Sequence, residues 1–274
     1  MNNSNLRSLY DKDGFIVIKN FFECSEIDAV YDEICRITNL YVVANGICND
    51  FSNKTLEDIF ILIKEFDEKS YAEFLANLWR LHSVNKLLAG DKIESLLRVE
   101  FAFEALMATG GHVVHVVSDQ LKFNDGYFGL PAHQDFPSTQ GSLDGVVLWV
   151  PLQDITTDKF PVTAIKGKHK EGLLDSTVNS NQTWELVDYD SEPEERLVCE
   201  KGDLVVFSVF TPHKTGSGSG FRIAMSTRYD NAGSYEYARR NYFCGYGRTV
   251  KRKTLGDLDH KTKATLHKAF GSLQ

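Results

Sequence analysis

His133 and Asp135 stand two residues apart in Leu130-Pro-Ala-His133-Gln-Asp135-Phe136, a segment with β-type flanks. Imidazole and carboxylate are both metal donors. Along a strand, residues i and i+2 point to one face, so the pair could grip one ion. The spacing alone is weak, because a chain with eight histidines and this aspartate content supplies an H-x-D triplet by chance about 0.6 times. Its weight has to come from partners elsewhere. The third donor is His213, in Phe210-Thr-Pro-His213-Lys214, at the end of an apolar run that begins near Leu204. It follows Asp135 by 78 residues (213 − 135), a separation that a sheet folded back on itself closes. Two histidines and one carboxylate on one face of a metal leave three positions open, the facial triad of non-heme Fe(II) oxygenases.

Three open positions suit a 2-oxo acid that chelates through two oxygens, with dioxygen in the last. The far carboxylate of such an acid needs a cation at fixed reach, and arginine pairs with carboxylate in a planar, two-pronged way. Arg222 is placed for that role, just after the turn-forming Gly216-Ser-Gly-Ser-Gly220. In its strand Phe221, Ile223 and Met225 alternate with Arg222, Ala224 and Ser226, so the two sets face opposite ways. The Arg222 face also bears Arg228, which makes Arg228 a candidate substrate contact. A structural salt bridge is the competing role for either arginine, since a buried charge needs a partner.

These residues need a scaffold. From about residue 99 the sequence runs in short β-branched and aromatic stretches, His112-Val-Val-His-Val-Val117, Gly145-Val-Val-Leu-Trp-Val150, Gly202 to Phe210 and Phe221 to Thr227, separated by Gly, Asp, Asn and Pro. That texture predicts an antiparallel barrel or jelly roll. His112 and His115, three apart, fall on opposite faces of a strand and are expected to be structural. The first hundred residues predict helices. Gly14 to Ile18 is a short strand, Ser25-Glu-Ile-Asp28 resembles a capping box, and Ile27, Val30, Tyr31 and Ile34 follow at helical spacing. Further stripes run from Thr55 (Ile59, Phe60, Ile63, Phe66) and from Ser70 (Phe74, Leu75, Leu78, Trp79); they are core-packing faces. The fold class is α+β with a mainly β core, one domain of three parts: a helical support layer over 1–98, the β core over 99–230 and a basic C-terminal extension over 231–274.

Length, 42% hydrophobic and 25% charged residues are those of an ordinary globular protein. A net charge of −8 argues against general nucleic-acid binding, which needs a cationic surplus on one surface, and favours a small-molecule substrate. The N-terminal residues lack a signal-peptide pattern, and no run of 18 apolar residues occurs; a cytoplasmic protein without membrane association is expected. Five scattered cysteines (Cys24, Cys35, Cys48, Cys199, Cys244) without a C-x-x-C pair predict free thiols. The polar segment Ser176 to Glu200 predicts a surface loop that could cover a site. Arg239, Arg240, Arg248, Lys251, Arg252 and Lys253 form a basic stretch with no acid among them, and Leu258, Thr262, Leu266 and Phe270 suggest a final amphipathic helix.

His133-Gln-Asp135, Leu148-Trp-Val-Pro-Leu-Gln-Asp154, Lys166-Gly-Lys-His-Lys-Glu-Gly172 and Gly202-Asp-Leu-Val-Val-Phe207 leading to His213 and Arg222 occur in the order seen in the phytanoyl-CoA dioxygenase family. Tyr10-Asp-Lys-Asp-Gly-Phe-Ile-Val-Ile-Lys-Asn-Phe-Phe22 resembles that family's N-terminal segment. The resemblance runs from about residue 8 to residue 230 and implies a double-stranded β-helix, the cupin-like jelly roll. It implies Fe(II) on His133, Asp135 and His213, with O2 and 2-oxoglutarate as co-substrates and the distal carboxylate of 2-oxoglutarate on Arg222. Thr215 matches a position where a hydroxyl assists that carboxylate. Gln120 and Lys122 fall near positions lining the co-substrate and substrate pocket. Trp149 sits where an aromatic often lies near the co-substrate, with a core role equally open, and His169 matches a structural loop histidine. The implied activity is a 2-oxoglutarate-dependent hydroxylase of a small polar or anionic metabolite or biosynthetic intermediate. An intact Asp135 argues against halogenation, since related halogenases lack that carboxylate. This sequence departs from the family at Asp158-Lys-Phe-Pro161, at Lys166-Gly-Lys-His169 and in the Gly/Ser-rich loop after His213, all around the pocket. Two other readings stand beside this one: a cupin-type hydrolase or isomerase holding zinc or another metal, distinguished by whether Arg222 faces the metal, and a non-catalytic binding module. Oligomeric state is not encoded in any feature above.

Overall fold

The computed structural model describes residues 6–122, 129–180, 183–187, 189, 193–245 and 263–264. Helices α1 (Leu6–Asp13), α2 (Cys24–Ala44), α3 (Leu56–Phe66), α4 (Glu68–Leu75), α5 (His82–Leu88) and α6 (Asp91–Val99) precede the main β region, with strand β1 (Phe15–Ile18) between the first two. The stripes Ile27, Val30 and Ile34 on α2 and Ile59, Phe60 and Ile63 on α3 are buried. Phe66 is 57% exposed, at the last turn of α3 where the helix leaves the core. The box opening α2 uses Glu23 and Glu26 rather than Ser25 and Asp28: Glu23 N donates to Glu26 Oε2 at 2.8 Å. At α3 the cap falls on the expected residue, with Thr55 N donating to Asp58 Oδ2 at 2.7 Å and Asp58 N donating back to Thr55 Oγ1 at 3.2 Å. The Ser70 stripe is interrupted: α4 starts at Glu68, capped by Asp67, and Leu78 and Trp79 lie in a separate short 3-10 turn.

The remaining strands are β2 (Leu106–Ala108), β3 (Val113–Ser118), β4 (Val146–Pro151), β5 (Val162–Ile165), β6 (Ser176–Val178), β7 (Trp184–Leu186), β8 (Glu194–Leu197), β9 (Leu204–Ser208), β10 (His213–Thr215) and β11 (Phe221–Asn231), with short helices α7 (Phe136–Thr139) and α8 (Tyr235–Arg239). The larger sheet runs β1-β9-β4-β11-β2, with β3 also on β11, and the smaller runs β10-β5-β8; the pairings are antiparallel. This is the jelly-roll core.

Why the long strands are continuously apolar is now plain. Their residues divide by parity between two cores. Leu148, Leu204, Val206, Ile223 and Met225 face the helices, whereas Val147, Trp149, Val205, Phe207 and Ala224 face the barrel interior. Both faces are buried, so apolarity does not alternate.

One further expectation changes. The segment from Ser176 to Glu200 is not a plain loop: β6 pairs with β7, and β8 pairs with β5. Strand residues such as Glu194 and Arg196 are polar because their side chains leave the barrel toward solvent. In the basic stretch, Arg240 pairs with Glu236 at 2.5 Å and Arg239 lies over the Tyr235 ring. Arg248, Lys251, Arg252 and Lys253, with Leu258, Thr262, Leu266 and Phe270, lie outside the described residues. Among the described residues Cys24, Cys35, Cys48, Cys199 and Cys244 form no disulfide. Among the described residues no helix is long and apolar enough to cross a membrane.

Candidate metal centre and its cavity

His133 and His213 face each other across an antiparallel bridge. His133 N donates to His213 O and His213 N donates to His133 O, both at 3.0 Å. A directly opposed pair puts both side chains on one face, and the ring centroids are 4.3 Å apart. Asp135 arrives differently from the strand geometry expected. Its backbone is already right-handed helical (φ −76°, ψ −28°), and Ser138 N and Thr139 N donate to its main-chain oxygen at 3.0 Å as α7 begins. Gln134 turns away from the centre, as a residue between two convergent donors must. Its Nε2 donates to Gly172 O at 2.8 Å and Phe210 O at 2.7 Å, and its Oε1 accepts from Leu174 N at 2.9 Å.

The donor atoms of His133, Asp135 and His213 lie within 4.8 Å of one another, and all three residues are buried. Both histidines have a fixed tautomer. His133 Nδ1 lies 2.7 Å from Pro131 O and His213 Nδ1 lies 2.9 Å from Thr211 O. A carbonyl only accepts, so each Nδ1 carries a proton and each Nε2 is the ring atom turned inward for a metal. His133 Nε2 and Asp135 Oδ2 are buried and make no hydrogen bond among the described residues, although Oδ2 is 3.3 Å from His213 Nε2. Buried acceptors converging without hydrogens between them are costly unless a cation completes them. The residues therefore fit a metal of the facial-triad class.

Electrostatics agree with that fit. Burial, and secondarily the neighbouring His213, lower His133 to about 4, so the ring is neutral and ready to ligate. Burial by itself would raise the Asp135 carboxyl, but Arg228, His213 and His133 outweigh it and hold the group well below the usual carboxylate range.

The two histidines open on a cavity of about 40 Å³ lined by His133, His213, Trp149, Thr215, Arg222 and Arg228, with Leu130, Val147, Val162, Phe207 and Lys214 between them. Arg222 is only 2% exposed. Its Nη1 donates to Phe160 O at 2.6 Å and its guanidinium sits 5.8 Å from the Trp149 ring centroid. Thr215 Oγ1 accepts from Leu130 N at 3.0 Å, which leaves its own hydrogen to donate. Six residues, roughly 20 Å of strand, separate Arg222 from Arg228, so the two guanidiniums serve different parts of the cavity. Arg228 is spoken for by Asp135: Nε and Nη2 lie 2.9 and 2.8 Å from Oδ1. Its expected role as a substrate contact gives way to an ion pair with a candidate metal ligand.

Gln120 and Lys122 are not brought to the cavity. The chain leaves β3 after Ser118, whose Oγ accepts from Gln120 N at 3.2 Å, and the 3-10 turn Asp119–Leu121 carries both side chains to the exposed surface. Their backbone carbonyls accept from Lys64. His169 packs on Gly14, where a Cβ would fall 2.3 Å from its Nδ1, far from any donor role.

His115, expected from the sequence to be structural, and Ser226, given no role there, also line the cavity. His115 Nε2 is 2.7 Å from Ser226 Oγ. Burial first, then Arg228 and Arg222, lower this histidine well below its ordinary value. Its signal was parity: Val114 and Val116 belong to the helix-facing core, which leaves His115 pointing inward.

The fold and the centre define the class, a jelly-roll oxygenase built around a non-heme metal. The phytanoyl-CoA dioxygenase family matches residues 10–224, and the chain belongs to that family. It is a 2-oxoglutarate-dependent non-heme iron enzyme. Curated relatives include the peroxisomal phytanoyl-CoA dioxygenases of Homo sapiens, 23% identical over 97% of this chain and 76% of that protein, and of Mus musculus, 24% identical over 82% and 68%. Among solved structures, the epimerase SnoN in complex with Fe3+, alpha ketoglutarate and nogalamycin RO is 16% identical, with a TM-score of 0.58 over 92% of this chain and 93% of that one. EvdO2 from Micromonospora carbonacea var. aurantiaca complexed with 2-oxoglutarate is 14% identical, with a TM-score of 0.55 over 83% and 90%. These structures share the fold.

Proposed function

We propose that the chain is a hydroxylase in which His133, Asp135 and His213 hold Fe(II) and Arg222 binds the distal carboxylate of 2-oxoglutarate. The observation that carries this reading is the convergence of two imidazole Nε2 atoms and one carboxylate oxygen, all from buried residues, beside a cavity that also holds a buried arginine. With 2-oxoglutarate and O2, the metal supplies a coupled oxidation: the 2-oxo acid becomes succinate and carbon dioxide while a substrate C–H becomes C–OH.

The chain's residues bind, orient and exclude water. Pro131 and Thr211 carbonyls fix the histidine tautomers. Arg222 receives a carboxylate in two-pronged geometry, Thr215 donates its hydroxyl hydrogen to the same group, and Trp149 walls the pocket beside it. Val147, Val162 and Phe207 keep the interior dry. Of the four electrons that dioxygen would take, two come from decarboxylation of the co-substrate and two from the substrate C–H bond. The hydrolase or isomerase reading has no use for a buried Arg222 in the same cavity as the donors.

For the substrate, a small polar or anionic metabolite is favoured. Beside its apolar walls the described lining carries Thr215, Lys214, Arg222 and Ser226, polar and charged side chains that suit a polar or anionic group. The test is O2-dependent release of succinate from 2-oxoglutarate, scored across a metabolite panel. Stimulation by one class of polar compound is expected. Succinate release that requires only long-chain acyl esters would overturn the substrate assignment.

A further inference from the structure

The two donors of Arg228 nearest Asp135 do not share its carboxylate in the usual way. An arginine fork commonly places one N–H on each carboxylate oxygen. Here Nε at 2.9 Å and Nη2 at 2.8 Å both meet Oδ1, and Oδ2 is left facing His213 Nε2 at 3.3 Å. Local capping does not compete for either oxygen, because Asp135 makes no side-chain bond to the first turn of α7 although it stands at the N-cap. The remaining Arg228 nitrogen, Nη1, donates to Ser226 Oγ at 2.8 Å. Guanidinium cannot accept, so the Ser226 hydroxyl hydrogen is free to go to His115 Nε2, 2.7 Å away. A directed path thus runs from β3 through β11 to the N-cap of α7.

We infer that Arg228 is a positioning residue for the metal centre, reserving Oδ2 of Asp135 for the ion by occupying Oδ1, and that Ser226 and His115 hold Arg228 in place. The inference rests on the metal-ligand reading of His133, Asp135 and His213. Its chemical consequence follows from counting positions. With one Asp135 oxygen bound, an octahedral ion keeps three places, two for a 2-oxo acid and one for dioxygen. A carboxylate free to swing would chelate through both oxygens and close one of them. Arg228 keeps that place open.

The test compares Arg228→Met with wild type in two ways. Co(II) affinity of the metal-free protein is measured by chelator competition, without turnover. Loss of an outer partner of a ligating carboxylate should weaken binding about 10- to 100-fold. A merely nearby cation would do the opposite, since its removal lowers repulsion and tightens binding. The second readout is the visible band of the anaerobic Fe(II)–2-oxoglutarate protein, which should persist in the variant yet decay at least tenfold more slowly on exposure to O2. Arg228→Lys, with one donor for Oδ1, should lie between. Co(II) binding as tight as wild type, or tighter, in folded Arg228→Met would overturn the inference. Should that variant not fold, Ser226→Ala decides: a two- to fivefold loss of Co(II) affinity is expected, and an unchanged affinity refutes the path. Failure of wild type to bind Co(II) at all would instead refute the metal-ligand reading.

Discussion

His133 and His213, 80 residues apart in the chain (213 − 133), exchange both main-chain hydrogen bonds at 3.0 Å while each imidazole is tied through Nδ1 to a carbonyl two residues before it. The bridge that aligns them is made of backbone, so it does not depend on either ring. Substituting His213 by Ala should therefore leave a folded protein whose Co(II) or Fe(II) affinity falls by more than about 100-fold. Calorimetric titration checks the affinity, and circular dichroism checks the fold.

The His133 ring also sets a pH dependence of the metal-free protein. Its value is lowered to about 4 from 6.5, chiefly by burial. Between those values the unfolded chain carries a proton that the native ring refuses, so stability rises with pH across the window and the contribution is complete above 6.5. The group should cost about 3 kcal/mol of stability between pH 6.5 and pH 4. Urea unfolding of wild type and His133→Gln at several pH values measures this: the wild-type curve should fall more steeply toward pH 4, and parallel curves would show that the ring is not buried neutral.

Gln134 ties the donor segment to two others, through Gly172 O, Phe210 O and Leu174 N. Gln134→Leu preserves bulk but strands three part-buried backbone groups, and should destabilise the protein by about 1–3 kcal/mol. The midpoint of denaturant unfolding reports it. Co(II) affinity should fall as well, since the segment carrying His133 and Asp135 loses its anchor.

Legibility in the sequence divides along the range of the interactions. Arg222 could be found because strand alternation is local, and Phe221, Ile223 and Met225 mark the opposite face. The partner of Arg228 could not, because Asp135 is 93 residues away and only the closed barrel brings them together. The H-x-D spacing was informative for a reason other than the one strand geometry supplies: His133 sits in a bridge while Asp135 opens a helix, and Pro137 in that first turn was the unread signal. Gln120 and Lys122 failed because continuing β3 past Ser118 ignored the capping side chain that ends it. The strands within 176–200 were hidden by polar outward residues such as Glu194, which pairs with Lys214 across the smaller sheet.

Arg222 carries a separable prediction. Its removal in Arg222→Ala should weaken 2-oxoglutarate binding about 10- to 100-fold, the equivalent of one charge-assisted pair, while Co(II) affinity stays within a factor of two. Arg222→Lys should recover part of the loss. Equal 2-oxoglutarate affinity in wild type and Arg222→Ala would remove its assigned role.

The central claim is that His133, Asp135 and His213 hold an iron on which 2-oxoglutarate chelates. Its most direct test is the absorption spectrum of the anaerobic protein with Fe(II) and 2-oxoglutarate. A weak visible charge-transfer band should appear on adding the 2-oxo acid and be absent from Asp135→Ala. A folded, Fe(II)-loaded wild-type protein that shows no such band at saturating 2-oxoglutarate would contradict the account.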